Sequence, residues 1–305
     1  MQLSVVIPTY NPDTARLEQT LAALKGQSLV VEQWELIIID NNSSNGFDQQ
    51  FDLSWHPAAK VVKEAKQGLT YARLRGFNES TGGTIVMVDD DNILNSDYLE
   101  NVLFIFGQNL KLGAIGGKSI PQFETEPPEW LGEFYGSLAL RNLGDEPLTA
   151  SWSNQYPTVA PIGAGMAIRR KALSAYIKKI TSGKSSITDR TGNSLSSGGD
   201  NDMVIEILKG GWQVGYFPEL VLHHIIPAQR IQPAYLARLL NNTNKSWIQL
   251  LQSQGINPWK KLSKSGALFR KAKAWFTYRA WKGKPNYIKW QGACGMFDGL
   301  ASFDE

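Results

Sequence analysis

One cysteine, Cys294, in 305 residues excludes any internal disulfide, so nothing in the fold depends on oxidation and a reducing compartment suits it. No run of about 18 apolar residues occurs, which excludes a spanning helix. The opening Met1-Gln-Leu-Ser has neither the basic flank nor the long apolar stretch of a secretory signal. These absences lead us to expect a cytoplasmic protein, either soluble or lying peripherally on the inner face of the membrane. Charge of one sign is also missing: no acidic residue occurs from Leu220 to Phe297. Residues 1–219 hold 18 Lys/Arg against 25 Asp/Glu, whereas residues 220–305 hold 13 against 3, so a net charge of +3 conceals two halves of opposite sign. A one-signed, Trp-rich tail calls for an anionic partner.

What is present is a chain with 42% hydrophobic residues, enough for a sizeable core. Leu3 to Pro8 reads as a β-branched strand feeding a loop, and Asp13 precedes a helical pattern through Leu17, Leu21 and Leu24. Trp34 to Ile39 is too continuously apolar for a sheet with one wet face, so both faces should be covered. Lys60–Val62 reads as a short strand, 69–79 as a helix, Thr84–Val88 as a buried strand, Leu99–Phe106 as a helix and Gly113–Ile120 as a strand. Alternating strands and helices predict an α/β fold with a mostly parallel sheet flanked by helices. In such sheets ligands gather at the carboxyl ends of strands. Those ends are Pro8-Thr9-Tyr10, Asp40-Asn41 and Asp89-Asp90-Asp91.

The second half is less regular. Gly163 to Arg169 reads as a strand, 182–199 as a Ser/Gly-rich mobile loop, and Asp200–Leu208 as a helix. Gln213–Phe217 and Val221–His224 read as two short strands, and 233–253 as an amphipathic helix.

Asp89-Asp90-Asp91-Asn92 is the most informative stretch. Three adjacent carboxylates repel one another, and a divalent cation removes that penalty by taking one or two of them together with phosphate oxygens. A solvated acidic turn ahead of the next helix is the plainer reading.

At this point the chain resembles a family. Val5-Val-Ile-Pro-Thr-Tyr-Asn11, Ile37-Ile-Ile-Asp40-Asn-Asn-Ser43, Gly68-Leu-Thr-Tyr-Ala-Arg73-Leu-Arg-Gly76 and Val86-Met-Val-Asp-Asp-Asp91 are similar, in order, to motifs of family 2 inverting glycosyltransferases with the GT-A fold. The resemblance implies a nucleoside-diphosphate sugar donor, of the UDP class, and a hydroxyl of a glycan or lipid-linked glycan as acceptor. It implies Mn²⁺ or Mg²⁺ as cofactor. Pro8, Thr9 and Tyr10 would line the nucleoside, Asp40 would accept from the base, and Gly68 opens the helix that carries Arg73 towards the diphosphate. Asp89 would contact ribose and Asp91 the metal, with Asp90 open because the run offers two registers. Ser197-Gly-Gly-Asp200-Asn-Asp202, ahead of Leu208-Lys-Gly-Gly-Trp212, resembles the catalytic segment. Here Gly199 stands where the family has glutamate, which leaves the base open between Asp200 and Asp202, with Asp200 favoured; both could equally be helix caps. Within His223-His224, which face opposite ways on a strand, His224 is the metal candidate, and Arg230 would lie near the diphosphate. Trp130 and Gly163 to Met166 are candidates for the acceptor side, or for core.

We expect a catalytic domain over 1–232 and a basic, Trp-rich helical extension over 233–305. In the extension, Leu268, Phe269, Ala272, Trp275 and Phe276 share a helical side, so peripheral contact with an anionic membrane through 258–290 is expected; an ordinary solvated helix packed on the catalytic domain is the plainer reading, and single-stranded nucleic acid ranks last. Nothing in residues 1–230 resembles a nucleic-acid module, and no Gln-X-X-Arg-Trp segment of a processive synthase occurs. A sugar-nucleotide nucleotidyltransferase would need a glycine-rich, basic first loop. A silent nucleotide- or glycan-binding module would need no base.

Overall fold

The computed structural model describes residues 1–47, 50–182 and 198–302. The loop expected over 182–199 falls almost wholly outside them. Counting described residues, the chain divides into two compact units: one built from 1–47, 50–122, 139–182 and 203–225, the other from 123–138, 198–202 and 226–302.

The first unit is organised by a sheet. Strands β1 (Leu3–Thr9) and β2 (Trp34–Asp40) are buried at all seven positions each. Their side chains alternate strictly between two cores, as a period of two requires. Leu3, Val5, Ile7, Leu36 and Ile38 pack with Leu17, Leu21 and Leu24 of helix α1 (Thr14–Lys25) and Leu99 and Val102 of α3 (Tyr98–Gln108). Val6, Ile37 and Ile39 pack on the other face with Ala72 and Phe77 of α2 (Leu69–Glu79), Tyr176 of α4 (Ser174–Thr181) and Val204 and Ile207 of α5 (Gly199–Lys209). The Asp13 carboxylate caps α1 by accepting from the Arg16 N–H at 3.2 Å.

β1 pairs in parallel with β2 and with β4 (Thr84–Met87), and β2 with β3 (Ala59–Lys63). Beyond β4 the sheet turns antiparallel. β8 (Ala167–Arg169) joins β4 to β6 (Leu112–Phe123), and β9 (Gln213–Ile226) pairs with β5 (Asn92–Leu94) and β7 (Leu148–Ala150). Across the described residues the order is β3-β2-β1-β4-β8-β6-β9-β5, with β7 beside β9. A parallel block thus carries the predicted strand ends, and an antiparallel flank completes the sheet.

Two local expectations change. Residues 163–166 form a turn, not a strand, because Gly165 takes a left-handed φ of +72° that no strand permits; Tyr98 Oη donates to its carbonyl at 2.7 Å. The two short strands over 213–224 are one strand of 14 residues that serves two partners, β7 near its start and β5 near its end.

The second unit is helical. It holds α6 (Pro233–Ser253), α7 (Lys264–Thr277) and α8 (Lys284–Ala301). α6 and α8 meet backbone to backbone: a Cβ at Gly295 would lie 1.9 Å from the Asn241 carbonyl oxygen, so only glycine fits. Asn241 and Asn244 amides donate across to the Gln291 and Gly292 carbonyls, both at 3.0 Å. No helix among the described residues is long and apolar enough to cross a membrane.

Candidate active site

In the first unit the register of the parallel block brings three strand ends together. Thr9 pairs with Asp40, and Asp40 with Lys63. The chain stays pinned past the ends: Asn41 N–H donates to Thr9 O at 2.9 Å and Glu64 N–H to Asp40 O at 2.8 Å. On its other side Thr9 Oγ1 donates to an Asp90 carboxylate oxygen. Pro8 and Thr9 are buried and Tyr10 is exposed. A nucleoside laid along this edge would meet a fixed wall and one open aromatic face.

The two loops leaving β1 and β2 hold each other. Asn11, at a left-handed φ of +46°, accepts from Ser44 N–H at 2.8 Å and donates its own N–H to Ser43 Oγ at 2.8 Å. Asp40 accepts from Ser43 N–H at 2.8 Å, which orients its carboxylate at the strand end. Asn41 is the residue that sequence reasoning left without a role. Its side chain donates to Glu64 O (3.1 Å) and Lys66 O (2.8 Å) and accepts from Gly68 N–H (2.7 Å), clasping the segment between β3 and α2. Gly68 is the N-cap of α2 at a φ of +133°, open to glycine but not to side chains. A turn-former directly after a buried strand is the only sequence signal Asn41 gives.

Arg73 lies on the buried side of α2, 2% exposed. A guanidinium buried that far is held by opposite charge or by acceptors, and it is positioned rather than swinging in solvent.

Asp91 is buried and Asp89 and Asp90 are half-buried. Asn92, fully buried at the start of β5, ties the run into a tight turn: its amide donates to Asp91 Oδ1 at 3.1 Å and its Oδ1 accepts from Asp89 N–H at 3.2 Å. Asn92 stands opposite His224 in the β5–β9 ladder, and Ile225 N–H donates to Asp91 O at 2.9 Å. That pairing delivers the buried His224 to Asp91, with Nε2 and Oδ1 3.4 Å apart; His223 faces the other way and is half-buried.

Among the described residues no group of three His, Cys, Asp or Glu side chains is placed to hold a metal alone. A pair suffices where diphosphate oxygens and water complete the sphere. Asp91 with His224 fits such an ion, and the imidazole nitrogen favours Mn²⁺ over the harder Mg²⁺.

In the second unit, Asp200 and Asp202 occupy the first turn of α5. Asp202 is 1% exposed and accepts from the Gln254 amide at 2.7 Å, while Asp200 is half-buried. Arg230 sits in the 3-10 turn Ala228–Ile231, which its own N–H closes onto Pro227 O at 2.9 Å. Trp130 packs edge-on against Phe134 at 5.9 Å.

Comparison with known proteins identifies the class. Residues 4–177 match the model of Glycosyl transferase family 2, and the chain belongs to that family. It is 28% identical over 140 residues to a Glucosyl-dolichyl phosphate glucuronosyltransferase of Haloferax volcanii, covering 44% of each chain. It is 23% identical over 256 residues to the O-antigen chain rhamnosyltransferase WbaN of Salmonella anatum, covering 81% of this chain and 74% of that one. The chain spans less than half the length of the Haloferax relative. Among solved structures, S. aureus TarS in complex with UDP superposes with a TM-score of 0.54 at 13% identity, covering 97% of this chain and 89% of TarS. GalNAc-T7 with UDP, GalNAc and Mn²⁺ gives 0.55 at 16% identity, covering 83% and 48%. The fold is therefore GT-A.

Proposed function

We propose that this chain transfers a sugar from a nucleoside-diphosphate donor, of the UDP class, to a hydroxyl of a glycan or lipid-linked glycan, with inversion at the anomeric carbon. One observation carries the reading: Asp40, Thr9, Asp90 and Asp91 meet at one end of the parallel block, with His224 brought to Asp91 by β9. Family membership, and the UDP and Mn²⁺ held by the two structural neighbours, support it. The lipid-linked substrate in the name of the Haloferax relative supports an acceptor or donor partner presented at a membrane, and with it a peripheral position of this chain on the inner face.

Pro8, Thr9 and Tyr10 line the base and ribose, and Asp40, acceptor-only when ionised, takes the base N–H. Gly68 lets α2 begin close to the nucleotide, and Arg73 and Arg230 neutralise diphosphate oxygens. Asp89 holds ribose, Asp90 fixes Thr9, and Asp91 with His224 holds the cation. When bound, that ion stabilises charge developing on the leaving diphosphate. Asp200 takes the proton of the acceptor hydroxyl as its oxygen bonds to the anomeric carbon, while the bond from that carbon to the diphosphate oxygen breaks and its electron pair leaves with the nucleotide. Asp200 suits the base better than Asp202, whose carboxylate is buried against Gln254. Gly199, where the family has glutamate, contributes no second carboxylate.

Calorimetric titration of UDP and GDP, with and without Mn²⁺, on the wild type and Asp91→Asn tests the donor site. Mn²⁺-dependent binding of UDP that the variant loses is the expected result. No binding of either nucleotide would sink the proposal. Release of UDP from a UDP-sugar only when a glycan acceptor is added separates a transferase from a silent binding module.

A further inference from the structure

We propose that α7 and the turn after it form a docking face for an anionic lipid bilayer. This deepens the peripheral placement given above and is independent of the donor site.

At roughly 100° per residue, Leu268, Ala272, Phe276 and Phe269 fall within an arc of about 100° on α7. The three large side chains are 70%, 67% and 71% exposed for Leu268, Phe276 and Phe269, whereas Ala267 and Ala274 form the buried side of the helix. Trp275, grouped with the stripe in the sequence, points inward. It meets Trp290 edge-on at 4.7 Å, and Trp290 Nε1 donates to Lys271 O at 3.0 Å. The exposed stripe is therefore not leftover core. Tyr278 and Trp281, also exposed, continue it past the helix end.

Cations border the stripe on both sides, Lys264 and Lys271 on one and Lys273 and Arg270 on the other. Along the Lys264–Lys271 border runs a groove of about 430 Å³ lined by Lys245, Lys264, Lys271, Leu268 and Asp298. Lys271 is ion-paired with Asp298 there, and Lys245 and Lys264 add two further ammonium groups, which suits a phosphate headgroup beside its acyl chains. An apolar stripe between two basic rims is the pattern of a helix lying in a membrane interface. Each basic residue near an anionic surface adds attraction, and no acid occurs from Leu220 to Phe297 to oppose it. Exposed aromatics among cations could also stack single-stranded nucleic acid, but the aliphatic Leu268, 70% exposed within the stripe, offers no ring to stack on and favours acyl chains.

The test is flotation of the full chain with phosphatidylcholine vesicles and with vesicles that also contain phosphatidylglycerol. We expect binding to the anionic vesicles only, weakened by high salt. The double variants Phe269→Glu/Phe276→Glu and Lys264→Glu/Lys273→Glu should each bind at least about tenfold more weakly. All four side chains are solvent-facing, and unchanged circular dichroism, thermal midpoint and UDP titration would show fold and donor site intact. Equal binding to neutral vesicles, no vesicle binding by the wild type, variants that bind as wild type, or displacement from vesicles by a single-stranded RNA oligonucleotide would each overturn the proposal.

Discussion

His224 Nε2 stands 3.4 Å from Asp91 Oδ1, both buried, although more than a hundred residues separate them in the chain. The contact exists because Asn92 and His224 are ladder partners between β5 and β9. A one-residue slip of that register would turn His223 inward instead. Replacing either member should therefore act on the cation and not on the nucleotide itself. His224→Ala and Asp91→Asn are each expected to reduce the gain in UDP affinity produced by Mn²⁺ by about tenfold or more. UDP affinity without metal should change little, and calorimetry at a series of Mn²⁺ concentrations reads both.

The two carboxylates of α5 should separate by kind of effect. Asp200→Asn is expected to lower kcat by about 10² to 10⁴ with UDP affinity unchanged, as loss of a general base does. Asp202→Ala strands the Gln254 amide and should cost about 1–3 kcal/mol in urea denaturation. The reverse assignment follows if a folded Asp202 variant loses turnover and the Asp200 variant keeps it.

Asn41 offers a test of positioning. Asn41→Ala removes hydrogen bonds to Glu64 O, Lys66 O and Gly68 N–H and should cost about 1–3 kcal/mol by thermal melting. Nucleotide binding should weaken with it, because Asp40 and the start of α2 lose their common anchor. Unaltered UDP affinity in a destabilised variant would restrict Asn41 to folding.

At the opposite end of the parallel block, buried Glu35 sets an acid limit. Burial raises its pKa, but the Ser4 hydroxyl, the Thr81 N–H and hydroxyl and the Gly82 N–H side of the cluster outweigh that, so the net shift is downward. A depressed carboxylate contributes stability that is complete above its unfolded value, about 4.3, and is lost as pH falls through the lower folded value. Glu35→Gln should cost about 1 kcal/mol at neutral pH. That difference should shrink below about pH 4, read as urea midpoints across a pH series.

The parallel block could be read from the chain because its signals are local. Continuous apolar runs such as Trp34–Ile39 can only be strands covered on both faces, and each stops at polar residues. The antiparallel flank was less legible. Gly163 to Met166 has strand composition, but the left-handed φ of Gly165 is set by Tyr98 packing against it. Gln213 to Ile226 looks broken at Pro218, yet the strand continues because separate partners hold its two halves. Trp275 shows the same limit: helical spacing put it with Phe276, and the ring of Trp290 drew it inward.

By itself the sequence determined the family, the α/β order, the acidic strand end and the basic tail, since each rests on neighbours in the chain or on composition. Tertiary structure alone decided that Thr9 bonds Asp90, that β5 and β9 pair so as to bring His224 within 3.4 Å of Asp91, that Asn41 clasps Gly68, and which side of α7 is left bare. Those facts depend on register and on packing between distant segments, and no local pattern of residues encodes which distant partner a side chain will meet.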